Sequence, residues 1–184
     1  MPLLNTLNSP NLFLRPIIDS DIENIFKGLS HPEVIKYYGV NYNSLEATKE
    51  QMEWYAQPSQ YWWAICSVDG KEFYGAGGLN DISKEHKKAE IGLWLLPEYW
   101  GQGNMKEAMP LIYNFGFGTL GLHSIEGFVD SRNIGCIKAL KRLDFVYSNT
   151  LIEYTHEEDI LIYFYVYTML NKSIHFSKHI VTKN

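Results

Sequence analysis

The stretch Ala89-Glu90-Ile91-Gly92-Leu93-Trp94-Leu95-Leu96-Pro97-Glu98-Tyr99-Trp100-Gly101-Gln102-Gly103-Asn104-Met105-Lys106-Glu107-Ala108 decides the fold. Its apolar run over 91–96 favours a strand, and Pro97 cannot donate to a sheet ladder, so the strand is expected to end there. Gly101 and Gly103 admit backbone courses closed to most residues with a Cβ and let a ligand approach the main chain. A helix starting near 104 leaves its first N–H groups without partners inside it and adds the positive end of its dipole. A strand that delivers such a loop to a helix is an anion site suited to a phosphate or pyrophosphate. The plain alternative is an ordinary strand-to-helix turn. The P-loop pattern fails for want of a Gly-Lys-Ser/Thr ending, and the dinucleotide fingerprint fails because Lys106 stands three after Gly103.

Three blocks carry a family resemblance. Glu90 to Leu95, Pro97 to Gly103 and Lys106-Glu107-Ala108 together resemble the acetyl-CoA motif of the GNAT superfamily of N-acetyltransferases, most of all its ribosomal-protein-alanine (RimJ/RimL-like) branch. Asp130-Ser131-Arg132-Asn133 through Ala139-Leu140-Lys141-Arg142-Leu143-Asp144-Phe145 resembles that branch's Asn-x-x-Ser helix and Leu-Gly-Phe ending. Asn11-Leu12-Phe13-Leu14-Arg15-Pro16, with Asp19 and Asp21 following, is similar to the family's opening strand and helix. The blocks stand in the family's order over most of the chain. The resemblance implies an α/β fold, an α+β mixed sheet that is mostly antiparallel and twisted. One parallel strand–helix–strand splay would hold acetyl-CoA as cosubstrate, and no metal is implied.

Composition sets the remaining bounds. The 184 residues suit one domain with one sizeable core. A hydrophobic fraction of 46% and a charged fraction of 20% argue against disorder. The net charge of −5 offers no basic field for nucleic acid. Cys66 and Cys136 are expected as free thiols in a reducing compartment. No charged leader precedes an apolar run, and no apolar stretch reaches the roughly 20 residues of a membrane span. The expected location is therefore cytoplasmic.

In order, the chain reads as a loose leader over 1–10, a strand over 12–17 and a helix capped within Asp19-Ser20-Asp21. His31-Pro32 ends that helix, and Ser44 caps another. Runs 61–68 and 72–79 flank Asp69-Gly70, a hairpin signal, and with the central strand they form an antiparallel meander. Residues 80–88 read as a polar connection. A helix over about 104–120 contains Pro110, which removes one hydrogen bond. A strand over 124–129 should run parallel to the central one because a helix intervenes. A helix from Asn133 and two antiparallel strands over 145–154 and 160–169 complete the domain. The segment 171–184 reads as a surface tail.

Candidate site residues follow from the resemblance and from elementary chemistry. Gly101, Gln102, Gly103, Asn104, Met105 and Lys106 form the expected pyrophosphate cradle, acting mainly through main-chain N–H groups. The branch usually has Gly or Ala where Met105 stands, so that side chain must pack away from the ligand. Leu93, Trp94 and Leu95 would offer strand-edge groups to the pantetheine arm, as an added strand does, with one N–H facing the thioester carbonyl. A buried core strand is the plain alternative, and both hold if alternate residues face opposite sides. Asn133 is an N-cap, to which the resemblance adds a contact with the cofactor arm. Cys136 replaces the branch's Ser; a thiol is a weak donor, and packing is favoured over a covalent role.

Acetyl transfer needs a neutral amine, whereas a free alkyl amine is mostly protonated at pH 7. Glu90 and Glu153 match acidic positions of the branch, and either could take that proton directly or through water. A solvated surface charge is the alternative for both. By resemblance Tyr163 would reprotonate the leaving thiolate, although Tyr163, Tyr165 and Tyr167 share one strand face and aromatic packing is the favoured role. Tyr37, Tyr38, Tyr42, Trp54, Tyr61, Trp62 and Trp63 would line an acceptor pocket or fill the core. The six histidines show no metal-ligand spacing.

The expected function is direct transfer of an acetyl group from acetyl-CoA to a primary amine. The expected partners are acetyl-CoA and an amine acceptor, either a protein N-terminus or a small molecule, with a homodimer as a candidate assembly. Neither nucleic acid nor membrane is expected. The alternative is a non-catalytic acyl-CoA-binding module, which the departures at Met105, Cys136 and Asp144 keep open, or an interaction domain that has lost the cofactor.

Overall fold

The computed structural model describes residues 4–155 and 160–173. One eight-stranded sheet runs through them in the order β1-β2-β3-β4-β5-β6-β8-β7. In chain order the elements are β1 (Leu7–Asn8), β2 (Leu12–Pro16), α1 (Ile22–Leu29), α2 (Pro32–Ile35), α3 (Leu45–Tyr55), β3 (Tyr61–Ser67) and β4 (Phe73–Ser83). They continue with β5 (Lys88–Leu95), α4 (Asn104–Gly118), β6 (Ser124–Asp130), α5 (Ile134–Arg142), β7 (Val146–Thr155) and β8 (Ile160–Leu170). Short 3-10 turns at Asp19–Asp21 and Pro97–Tyr99 precede α1 and α4. The arrangement is a mixed α/β domain with an open, mostly antiparallel sheet, and its parallel pair is β5 with β6.

Side-chain alternation builds two cores on the two faces of this sheet. Ala89, Ile91 and Leu95 of β5 enter a core with Trp63, Ile65 and Leu79 of the meander, Ile112 of α4 and Leu140 of α5. Trp94 enters the other core, with Ile25 and Leu29 of α1 and Trp62, Ala64 and Cys66 of β3. Trp94 seats so closely on α1 that a Cβ at Gly28 would lie 2.0 Å from its ring. Glu90 and Gly92 fall on this second face, alternating with Ala89, Ile91 and Leu93 on the first, as the period of two requires.

The splay begins at a definite residue. Strands β5 and β6 pair only at Lys88↔Ser124, Ala89↔Ile125 and Glu90↔Glu126. Beyond that point β5 continues to Leu95 along β4, and β6 continues to Asp130 along β8. The two strands therefore part just after Glu90.

Several expectations need correction. The leader is not loose where it is described: Leu7 and Asn8 pair with Leu14 and Phe13, and the Asn5 carbonyl accepts from Trp63 Nε1 at 2.8 Å. The apolar side chains of Leu4 and Leu7 pack against the first core, which ties the segment down. No side chain of 19–21 caps α1. Asp21 instead turns inward, accepts from the Ile18 N–H at 2.9 Å and pairs with Arg15 at 2.7 Å. The polar connection after the meander is shorter than expected because β4 runs on to Ser83 through an irregularity. Of the expected tail, Asn171 is anchored by bonds to the carbonyls of His123 (2.9 Å) and Leu122 (3.1 Å). Positions 1–3 of the leader and 174–184 of the tail lie outside the described residues.

Two departures from the family pattern have local explanations. Asp144 follows the end of α5 at φ 65°, a left-handed position where glycine is usual and which Asp tolerates. Met105 packs against the first core while also lining the cleft, so its longer side chain is accommodated without closing it.

Candidate active site

The parting strands open a cleft of about 1360 Å³. Its floor is Glu90, Ile91, Gly92 and Leu93 of β5, with Gly127 to Asp130 of β6 opposite. Met105 and Met109 of α4, and Asn133, Cys136 and Leu140 at α5, wall it on one side. The loop 36–42, with Trp54 and Trp62, walls it on the other. The aromatic residues divide: Tyr37, Tyr38, Tyr42 and Trp54 line the cleft, and on β3 strand parity adds Trp62 to it, while Trp63 is core and Tyr61 packs against that core. The Arg132 guanidinium sits 5.7 Å over the Tyr37 ring and pairs with buried Asp130 at 2.6 Å, tying the aromatic loop to the β6–α5 turn.

At the outer end of β5 the glycine loop is held from behind. Gly101 and Gly103 have φ of 72° and 87°, and nothing lies within 4 Å of where a Cβ would be on either. Trp100 Nε1 donates to the Leu95 carbonyl (2.8 Å), Gln102 Nε2 to that of Glu98 (2.7 Å) and Asn104 Nδ2 to that of Tyr99 (3.0 Å). The side chains of Gln102 and Asn104 therefore fasten the loop. Helix α4 starts without a side-chain cap, and its first internal bond is Glu107 N–H to the Gly103 carbonyl at 3.1 Å. Main-chain N–H groups over 104–106, with the helix dipole behind them, are the donor set a diphosphate requires. The residues present fit that group.

At the inner end lies Glu90. Burial is the main reason its carboxyl is raised from 4.5 to about 7; the neighbouring Asp81 carboxyl adds to the rise, Asn80 opposes it and Glu126 contributes less. Glu126, its partner across the sheet, is held by Lys88 Nζ at 3.1 Å. The Tyr38 hydroxyl, raised well above its ordinary value first by burial and then by Tyr55 and Glu90, sits over Gly92. A carboxyl poised near 7 can accept a proton at neutral pH.

The sequence model of the family described as "Acetyltransferase (GNAT) domain" matches residues 11–146. The chain belongs to the GNAT acetyltransferase family. It is 32% identical over 156 residues to the uncharacterized N-acetyltransferase YoaA of Bacillus subtilis, covering 82% of this chain and 88% of that one. Its fold matches spermidine N-acetyltransferase from Vibrio cholerae, solved in complex with CoA and spermine, at TM-score 0.79 and 19% identity over 88% of this chain and 96% of that one. It also matches ribosomal-protein-S5-alanine acetyltransferase from Vibrio fischeri at TM-score 0.77 and 17% identity over 91% and 97%. This GNAT protein is an acetyl-CoA-dependent acyltransferase.

The acetyltransferase gathers some expected site residues and not others. Glu90, Leu93, Met105, Asn133 and Cys136 share the cleft. Trp94 and Leu95 follow β5 past it with buried side chains, and Trp94 Nε1 donates to the Tyr55 hydroxyl at 3.4 Å. Lys106 is exposed beside the loop. Asn133 caps α5, its Oδ1 accepting from the Cys136 N–H at 3.0 Å. Burial pushes the Cys136 thiol up to about 11, which suits packing and not nucleophilic attack.

Glu153 and Tyr163 do not join the cleft. Glu153 is exposed on β7, an edge strand of the sheet, with β8 between it and β6. Tyr163 is 44% exposed, and the β8 side chains that line the cleft are its neighbours Ile162 and Phe164, so alternation turns Tyr163 to the other face. Tyr165 and Tyr167 pack with the first core. Sequence reasoning missed Asn80, Asp81 and Glu126, which stand around Glu90. Their signal was an Asn-Asp pair in what read as a connection, and a lone Glu in an apolar strand. Among the described residues no group of His, Cys, Asp and Glu could hold a metal ion, and no helix is long and apolar enough to cross a membrane.

Proposed function

We propose that this acetyltransferase transfers an acetyl group directly to the primary amine of a cationic small molecule such as a polyamine, with Glu90 as the base. The observation that carries the proposal is a half-buried carboxyl, raised to about 7, standing where β5 and β6 part. Acetyl-CoA supplies the activated acetyl thioester. Main-chain N–H groups over 104–106 hold the diphosphate. The β5 edge over 93–95 aligns the pantetheine arm, and one of its N–H groups receives the negative charge that develops on the carbonyl oxygen. Glu90 takes the ammonium proton, freeing the nitrogen lone pair to form the new C–N bond as the C–S bond breaks, and the second nitrogen proton passes to the departing CoA thiolate, leaving the amide and free CoA. The cleft contributes mainly by holding the two reactants together.

Glu50 and Glu90 in the cleft wall, with Glu126 and Asp81 beside Glu90, suit an acceptor carrying more than one positive charge. The fold is shared with an enzyme named for spermidine. A protein N-terminal amine is the second acceptor class, supported by the resemblance of residues 130–145 to the RimJ/RimL-like branch and by the shared fold of a ribosomal-protein-alanine enzyme. A non-catalytic acyl-CoA module is not favoured, because Met105 and Asp144 are accommodated locally and Cys136 packs. The two free cysteines agree with a reducing cytoplasm.

Thiol release from acetyl-CoA tests the proposal, using spermidine, spermine, a simple alkylamine and an alanine-initiated peptide as acceptors. Fastest release with the polyamines is expected. Release with the peptide alone would transfer the assignment to the second class, and binding of CoA without release from any acceptor would overturn transfer.

A further inference from the structure

Strand β4 stops alternating at residues 80 and 81. Leu79 is in the first core, so Asn80 faces the cleft, directly opposite Glu90 in register. Regular alternation would send Asp81 back toward α4. It does not, because Asp81 has φ of 49°, the register with β5 slips between Asn80 and Ser83, and Ile82 packs against the first core instead. This bulge leaves Asp81 on the same side as Asn80, whose Nδ2 donates to Asp81 Oδ2 at 3.1 Å. It also brings the carboxyls of Asp81 and Glu90 within hydrogen-bond reach of each other. Bulges re-aim side chains in this way beside active sites. Asp81 is exposed, whereas Glu90 is half-buried in the cleft floor. The pair therefore runs from the reaction cleft to bulk water.

We propose that Asp81 is a positioning residue that acts through Glu90 and serves as its proton outlet. The proposal rests on Glu90 being the base, as proposed above. The acceptor's N–H⁺ bond breaks as its proton forms an O–H bond on Glu90. That O–H bond breaks in turn as the proton passes to an Asp81 oxygen, and Asp81 releases it to water, leaving both carboxylates as they began. No other reactant is consumed. Two carboxyls in contact resist being charged together, so one proton is readily shared between them. The remaining groups facing Glu90 are Asn80 from β4, Glu126 from β6 with its partner Lys88, and Tyr38 from the loop after α2. None of these offers Glu90 an exposed carboxylate at hydrogen-bond reach, as Asp81 does.

Asp81→Asn tests the relay cleanly, because Asn tolerates a left-handed backbone as well as Asp and the bulge is retained. Glu90's own titration, followed by carboxyl ¹³C NMR, needs no acceptor; in Asp81→Asn its midpoint is expected to fall by about one pH unit. The acid limb of kcat/KM should move down with it. With the best acceptor of the panel, kcat in dilute buffer should drop about tenfold and be restored by added imidazole, a diffusible proton carrier. Asp81→Glu should retain most turnover. An unshifted Glu90 midpoint, or a kcat loss that imidazole does not restore and that Asp81→Glu shares, overturns the relay. Glu90→Gln separates the two proposals. Normal turnover in that variant defeats the base and the relay together, while an inactive Glu90→Gln beside a parental Asp81→Asn defeats the relay alone.

Discussion

The glycine loop after β5 and the bulge in β4 both leave the right-handed backbone, and they do so for opposite ends. At Gly101 and Gly103 the chain turns with φ of 72° and 87°, and nothing crowds the missing Cβ. The loop works through peptide groups, so the side chains of Gln102 and Asn104 are spent on fastening it. At Asp81 the chain takes φ of 49° with a side chain in place, and the distortion carries that carboxyl round to Glu90. Main-chain recognition requires a residue with nothing to present. Side-chain delivery requires a residue that accepts strain and still presents something.

The difference can be broken at either end. The largest expected effect is at the floor of the cleft: Glu90→Gln should lower kcat by about 10²- to 10⁴-fold, the range of general acid–base catalysis, while calorimetric CoA affinity stays parental. The mirror image is Gly103→Val, which forces a β-branched residue to φ of 87°. A cost of about 1–2 kcal/mol in the loop should weaken CoA binding about tenfold in the same calorimeter, with kcat at saturation largely kept.

A smaller effect concerns stability. Folding raises the Glu90 carboxyl from 4.5 to about 7, so the folded state binds its proton more tightly than the unfolded chain does. That contribution is fully present below pH 4.5 and is lost as pH rises through about 7. Glu90→Gln, neutral throughout, should therefore melt higher than the parent at pH 8, with the gap closing toward pH 4.5. An equal gap at both pH values would mean that the carboxyl is not strained by its surroundings. The smallest effect is at Cys136, whose thiol sits near 11 through burial. Cys136→Ser should keep kcat within about twofold, and the parent thiol should react slowly with maleimide at pH 7.

The acceptor wall shows how far local pattern carries. Tyr61, Trp62 and Trp63 are adjacent and chemically alike, yet Trp62 lines the cleft while Trp63 enters the opposite core and Tyr61 packs against it. Period two predicts that neighbours separate, but which one faces the acceptor depends on what α1, α3 and α4 bring to each face. Glu90 and Glu153 both match acidic positions of the branch, and local pattern does not say which reaches the cleft. Strand order parts them, since β8 lies between β7 and β6. Tyr163 lies on the expected strand, and parity alone turns it away from the cleft.

The sequence by itself determined the central strand, its stop at Pro97, the glycine loop, α4, the parallel β6 and the cap at Asn133. Each of these is a local property: an apolar run, a missing donor, a missing Cβ, a side chain reaching its own helix start. Tertiary structure alone decided that the strands part after Glu90, that burial raises this carboxyl and not Glu153, and that a bulge turns Asp81 toward it. Proton affinity depends on the dielectric and the charges that distant segments bring together, and no window of neighbouring residues contains them.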